Sequence, residues 1–245
     1  MKKKEKKRPT IPYRIIHFII RTVYPKIQVI GAENLPQEGA IVVGNHSQMD
    51  GPITSELYFP GNRAIWCAGE MMKLQDVPAY AYQDFWSDQP KWSLWFFKLL
   101  AYVVAPISVC IFNNAHTIGV YHDARIMSTF KTTIRRLQEG AKIIIYPEHD
   151  VPYNEIINDF QEHFIDVAKL YYKKNGNGLW FVPLYHAPKL RQMHIGTPIQ
   201  FDGERPIEEE RIRIKNYLME EITAMAKSLP EHKVVRYRNV QRFTE

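Results

Sequence analysis

Apolar residues in this chain follow two alternating patterns. Short runs rich in valine and isoleucine read as strands over residues 27–30 (IQVI), 40–44 (AIVVG), 64–68 (AIWCA), 107–112, 141–146 (AKIIIY), 179–185 (LWFVPLY) and 193–200. Between them apolar positions recur at three- and four-residue spacing, the period of a helix with one buried face. In residues 123–140 this face is Ile126, Phe130, Ile134 and Leu137, and Gly140 is placed to end the helix. In residues 154–176 it is Ile157, Phe160, Phe164, Val167 and Tyr171, with Asn175-Gly176 as the stop. Between Pro206 and Pro230 it is Ile207, Ile214, Leu218, Ile222, Met225 and Leu229. Strands alternating with helices predict an α/β fold, a mixed, largely parallel sheet flanked by helices.

Two apolar segments do not fit that alternation. Residues 13–24 (YRIIHFIIRTVY) place Arg14, His17 and Arg21 on one helical stripe, and Ile15, Ile16, Ile19, Ile20 and Val23 on the other side. Residues 92–112 (WSLWFFKLLAYVVAPISVCIF) are almost long enough to span a bilayer, but Lys98 and Pro106 interrupt them. The pattern predicts a helix over 91–104 and a strand over 107–112. That helix is either a core element or one that dips into a membrane with Trp92, Trp95, Phe96 and Phe97 at the interface.

Charge sharpens the first of these readings. The net charge is +6, and MKKKEKKR at the start supplies +5 of it, leaving a nearly neutral body. No extended basic surface for nucleic acid is expected. A basic tail leading into an apolar-faced helix is instead a membrane-surface pattern. His17 and Arg21 break the apolar run, which argues against a signal peptide. The expected organisation is a basic tail with an amphipathic membrane-surface helix over 1–26 and an α/β domain over 27–245. Cys67 and Cys110 lie far apart and outside any metal-binding spacing, so reduced thiols are expected.

Candidate chemistry collects after two of the strands. Ligands of open α/β sheets sit at the carboxyl ends of strands. The strand at 40–44 runs into Asn45-His46, with Asp50 four residues on, and the strand at 141–146 runs into Pro147-Glu148-His149-Asp150. A histidine can remove a proton from an attacking hydroxyl near neutral pH. A carboxylate at its other ring nitrogen would fix the tautomer. The spacing of His46 and Asp50 permits that contact within one helical turn. It equally permits Asp50 to be a plain N-cap of the next helix. His186 follows the Val-Pro strand and either borders the cleft or, with Pro188 close behind it, is part of a simple turn.

The blocks GAENLPQEGAIVVGNHSQMD, IGVYHDARIMSTFKTTIRRLQEGAKIIIYPEHD and FVPLYHAP, in that order, resemble the glycerolipid acyltransferase family of the PlsC (lysophosphatidate and glycerol-3-phosphate acyltransferase) type. The likeness covers roughly residues 31–200. It implies a glycerol-3-phosphate acyltransferase-like fold and an enzyme that moves a fatty acyl group onto a hydroxyl of a lysophospholipid or related lipid. The donor would be acyl-CoA or acyl-carrier protein, with no bound cofactor and no metal. His46 would be the general base and Asp50 its orienting partner. Glu148, His122, Arg125 and His149 would bind substrate. Membrane lipids would be the partners, and the cytoplasmic face of the cell membrane the location, with peripheral or monotopic attachment. The chain departs from the family pattern in three places, one of them the arginine usual near the end of the second block, which is either replaced by His122 or shifted to Arg125. Three residues separate His46 and Asp50 where four are usual, and His149-Asp150-Val151 stands where Gly-Thr-Arg is usual.

Three other readings fit some of the same residues. HSQMDG also resembles the HxxxDG motif of chloramphenicol acetyltransferases and condensation domains. His46, Asp50, Glu148, His149 and Asp150 are suitable metal ligands for a metal-dependent hydrolase. A non-catalytic, membrane-associated member of the family is the third.

Overall fold

In the computed structural model, residues 9–86, 89–121 and 123–238 are described. The basic tail at 1–8 and His122 lie outside them. Helix α1 (Ile11–Val23) precedes strands β1 (Gln28–Ile30) and β2 (Ala40–Gly44). Next come α2 (Asp50–Tyr58), β3 (Arg63–Ala68), α3 (Val77–Ala81), α4 (Leu94–Asn114) and β4 (Thr117–Val120). After them run α5 (Ile126–Gln138), β5 (Lys142–Ile145), β6 (Glu148–Pro152), β7 (Asn158–Phe160) and α6 (Asp166–Asn175). The chain continues with β8 (Trp180–Ala187), β9 (Gln192–Ile195), β10 (Ile199–Gln200) and α7 (Ile207–Ser228).

Among the described residues, eight strands form one sheet in the order β1-β9-β8-β2-β5-β3-β4, with β10 pairing on β8. β2 pairs parallel to β5 and β8, β3 parallel to β5 and β4, and β1 parallel to β9; β8 with β9 and β10 is antiparallel. The sheet is therefore mixed and largely parallel, as the alternation predicts. Successive β2 residues point to opposite faces. Ile41 and Val43 join Ile143, Phe181, Ile134, Leu218 and Ile222 on one side, while Ala40 and Val42 join Ile144, Val182, Leu184 and Phe59 on the other. Burial on both faces explains why the central strands are continuously apolar in sequence.

Three segments differ from the periodicity. Residues 107–112 continue α4 as helix through Pro106. Ala101, Ala105 and Ser108 are buried at helical spacing, and Ala105 packs with Met71, Val77 and Ala81. The Ser108 hydroxyl bonds the Met71 carbonyl at 3.2 Å. This packing offsets the roughly 3 kcal/mol that an interior proline costs. Residues 154–176 are not one helix. The Asn154 side chain accepts the Ile156 and Ile157 N–H groups at 2.8 and 3.0 Å, a local turn that competes with helix, and the chain returns as β7. The apolar residues of that stretch are buried all the same, Ile157 before β7, Phe160 in it, Phe164 in a short 3-10 turn, and Val167 and Tyr171 in α6. Residues 193–200 divide into β9 and β10, with Pro198 between them.

α1 packs against α4, and the Thr10 N–H donates to Asn114 Oδ1 at 2.9 Å. Both helices present apolar side chains outward: Ile11, Ile15, Phe18, Ile19 and Val23 on α1, and Trp95, Phe96, Leu99, Tyr102, Val103 and Ile107 on α4. The helical stretch Lys91–Asn114 is long and apolar enough to cross a membrane, and only 17% of its most apolar window is buried in the protein. It is not a core helix. Both cysteines are free, and burial pushes the Cys67 thiol up to about 12, which disfavours the thiolate.

Candidate active site

Parallel pairing brings the carboxyl ends of β2, β5 and β8 to one edge, and buried Asn45 joins two of them. Its Oδ1 accepts the His186 N–H at 2.7 Å, and its Nδ2 donates to the His186 carbonyl at 3.1 Å and to Ser47 Oγ at 2.7 Å. The chain then turns sharply. Ser47 and Gln48 both take left-handed backbone conformations, with φ of 46° and 56°. Each costs roughly 1–2 kcal/mol for a residue with a side chain, and such strain persists only where its surroundings fix it. Here the Asp50 N–H bonds the Ser47 carbonyl at 3.1 Å and the Gly51 N–H bonds the His46 carbonyl at 3.2 Å. Gly51 must be glycine for this, because a Cβ there would lie 2.4 Å from the His46 carbonyl oxygen.

The turn fixes the His46 ring. Nδ1 lies 2.5 Å from the Gln48 carbonyl oxygen. A carbonyl only accepts, so Nδ1 carries the proton, and the neutral ring keeps a lone pair on Nε2. The rings of Tyr146 and Tyr237 flank the imidazole at 5.2 and 4.8 Å between centroids. Burial holds the His46 pKa below its ordinary value, and the bond to Gln48 offsets part of that shift.

Behind the ring lies a buried polar network. The Tyr146 hydroxyl is 2.7 Å from Ser55 Oγ and 3.1 Å from His186 Nε2, while Thr54 Oγ1 is 3.1 Å from His186 Nδ1. Burial, with a smaller effect of His46, pushes the His186 pKa down to about 3, so His186 stays neutral at working pH. Burial also raises the Tyr146 hydroxyl far above its usual range. The network is a neutral scaffold under the imidazole.

Glu148 meets the turn from β6. One carboxylate oxygen accepts the His46 N–H at 2.6 Å and the other accepts the Asn158 N–H at 2.8 Å. Burial raises its pKa, and these two bonds pull it back. Glu148 therefore braces the backbone that carries His46, where a direct contact with substrate was expected. Asp50 also departs from expectation. The hydrogen bond at His46 Nδ1 goes to the Gln48 carbonyl, and the Asp50 carboxylate accepts one from the Tyr24 hydroxyl. Asp50 is the first residue of α2, and the N-cap position is taken by Met49. Through Tyr24 it ties the end of α1 to the start of α2.

The remaining predicted residues lie apart from His46. His149, next along β6, turns to the other side and pairs with Asp159 at 3.4 Å. Asp150 is exposed. Arg125 forms a bidentate pair with Asp123 and stacks 4.0 Å over the Tyr121 ring. It follows β4, which lies three strands from β2, about 14 Å at normal strand spacing. Among the described residues no three His, Cys, Asp or Glu side chains converge on a point that could hold a metal ion. The metal site built from His46, Asp50, Glu148 and His149 does not form, because Glu148 is engaged by backbone and His149 points elsewhere.

Sequence reasoning missed Asn45, Gln48, Tyr146 and Tyr237 as site residues, and for His186 the cleft, the first of its two readings, is where the structure puts it. Asn45 and Tyr146 carried a usable signal, since each is a polar group at the end of a buried strand. Gln48 acts through its backbone, which no residue type announces.

The architecture has a solved counterpart. No family model matches the sequence, and no curated protein matches it either. Among solved structures, the fold is similar to the crystal structure of the 1-acyl-sn-glycerophosphate (LPA) acyltransferase PlsC from Thermotoga maritima, at 16% identity over 89% of this chain and 83% of that one, with a TM-score of 0.50, and this likeness establishes the fold that the two chains share.

Proposed function

We propose that this protein is an acyltransferase that moves a fatty acyl group from an acyl thioester, acyl-CoA or acyl-carrier protein, to a hydroxyl of a lysophospholipid or related lipid. The observation that carries this reading is the His46 ring at the carboxyl edge of the sheet, its Nδ1 held by the Gln48 carbonyl and its Nε2 left as a base. The likeness to an LPA acyltransferase supports the reaction class.

In this mechanism His46 Nε2 takes the proton of the acceptor hydroxyl as its oxygen attacks the thioester carbonyl. The tetrahedral oxyanion is stabilised by backbone N–H groups of the Ser47–Gln48 turn. The C–S bond then breaks, and the imidazolium returns the proton to the departing thiolate. No covalent acyl-enzyme forms, and His46 ends as it began. Radiolabelled palmitoyl-CoA and palmitoyl-carrier protein, offered with lysophosphatidate or a total lipid extract, test the reaction. A labelled lipid is expected, and no product from any pool would sink the reading.

The pH profile follows from the burial of His46. The neutral imidazole is the active form, and its pKa is lowered from 6.5. The acid limb of kcat/KM is therefore expected below pH 6.5, with activity retained as pH falls through that value. A limb above it would contradict the role of a buried base.

The acceptor resides in a membrane, and we assign the joint apolar face of α1 and α4 to its cytoplasmic surface. Phe18 is 69% exposed and Trp95 is 69% exposed, both on this face. A Phe18→Asp/Trp95→Asp double variant is expected to bind anionic lipid vesicles at least about tenfold more weakly, by the loss of inserted apolar area. Unchanged co-sedimentation with vesicles would remove this face from the interface.

A further inference from the structure

The last described residues do not leave the body of the protein. After α7 the chain runs back across the edge of the sheet. His232 Nε2 lies 2.8 Å from the Tyr185 hydroxyl, and Val234 packs on the main core. Arg236 and Tyr237 then cross the His46 turn. Gln48 Nε2 donates to the Arg236 carbonyl at 3.0 Å, and Asn158 Nδ2 donates to the Tyr237 carbonyl at 3.2 Å. The Arg236 guanidinium bonds the Asn154 carbonyl at 2.8 Å, which fixes this segment on the β6–β7 hairpin.

These two amides are not arbitrary anchors. Gln48 is the residue whose carbonyl holds His46 Nδ1. Asn158 is the residue whose N–H holds Glu148, which in turn holds the His46 N–H. Each backbone bond to the segment thus closes a chain of contacts that ends on the histidine. The Tyr237 ring adds a direct contact, 4.8 Å from the imidazole.

We propose that residues 230–238 form a strap that completes the active site, with Arg236 and Tyr237 as positioning residues that lock the His46 turn and wall the imidazole from water. The proposal rests on the acyl-transfer reading for its kinetic consequence and on geometry alone for its effect on His46. Tyr237 lies against the ring, and the Arg236 guanidinium is held on the Asn154 carbonyl in the hairpin that carries Glu148. The strap is a wall of the site, and a sequence of no evident periodicity conceals it.

The test compares wild type, Tyr237→Phe, Tyr237→Ala and a chain ended after residue 233. The first readout is the His46 imidazole titration by NMR of isotope-labelled histidine, assigned by difference from His46→Gln. The charged and titratable groups around the ring are Glu148 on β6, Tyr146 after β5, Asp50 on α2, His186 on β8, Arg236 on the strap, and Lys189, which acts on Asp50. The Tyr237 variants leave all of them in place, so a shift reports the loss of the ring. Tyr237→Ala and the truncation are expected to raise the His46 pKa toward 6.5. Both should move the acid limb of kcat/KM upward by the same amount and cut kcat at least tenfold. Tyr237→Phe keeps the ring and is expected to behave as wild type in both readouts. An unchanged titration in a folded Tyr237→Ala, or a rise in kcat on truncation, would overturn the proposal, the latter by making the strap an obstruction. Absence of acyl transfer in wild type would overturn the reaction assignment separately, while the titration still decides whether the strap shields His46.

Discussion

On the acyl-transfer reading, His46→Ala is expected to abolish nearly all turnover while the protein stays folded. A positioned general base contributes about 10²- to 10⁴-fold, and that is the expected fall in kcat. The loss should appear in kcat more than in KM, because the Nε2 lone pair acts on a proton that moves only in the transition state. The ring lies at the rim of the core, between Tyr146 and Tyr237, so its removal is expected to change stability by about 1 kcal/mol or less. Asp50→Asn provides the contrast. The imidazole is oriented by the Gln48 carbonyl, and the Asp50 carboxylate bonds Tyr24. Asparagine at 50 keeps an acceptor for that hydroxyl, and a loss of about tenfold or less is expected, the equivalent of one hydrogen bond. Steady-state kinetics of both variants check this. A His46→Ala protein with undiminished turnover would dismiss His46 as the base. A loss at Asp50→Asn as large as at His46→Ala would return the orienting role to the carboxylate.

Glu148→Gln is expected to damage both stability and turnover. The native carboxylate satisfies two backbone N–H groups from two different segments, at His46 and Asn158. A glutamine offers one oxygen and one NH₂ group, so one of those N–H groups would face another donor. Hydrogen bonds to a charged acceptor contribute about 1.5–3 kcal/mol, and an orphaned buried donor costs about 1–3 kcal/mol. A loss of about 2–4 kcal/mol is therefore expected, which corresponds to a drop in Tm of roughly 5–15 °C for a chain of this size. Turnover should fall at least about tenfold even in the folded fraction, because the strained turn at Ser47 and Gln48 loses its brace. Chemical denaturation and kinetics on the same preparation separate the two effects. A Glu148→Gln protein of native stability and lowered affinity for acceptor would indicate direct substrate contact instead.

Much of the fold was legible because burial imposes a period on the sequence. The central strands at 40–44, 141–146 and 179–185 are apolar on both faces, since helices cover both sides of the sheet, and they lie where the pattern puts them to within two residues. The helices at 126–138 and 207–228 show one stripe and clear stops. The failures have local physical causes. Residues 107–112 are rich in β-branched side chains and follow a proline, yet they extend α4 because Ala101, Ala105 and Ser108 make a small-residue seam at helical spacing. The stretch at 154–176 has helical periodicity, but the Asn154 side chain caps two backbone N–H groups and diverts the chain into a hairpin.

For the candidate site, the sequence by itself determined which strand ends carry the polar clusters. His46 and Glu148 follow β2 and β5, and parallel pairing of those strands brings them together at one edge. Tertiary structure alone decided what each residue does there. Glu148 binds backbone N–H groups, Asp50 bonds Tyr24, His149 faces Asp159, and Arg125 stands three strands away. The Gln48 carbonyl, buried His186 and the Tyr237 ring, which surround His46, come from a strained turn, a distant strand and the segment after α7. Periodicity records only which side of an element is buried. The partner of a polar group is set by backbone geometry and by contacts across more than a hundred residues, and neither leaves a repeat in the sequence.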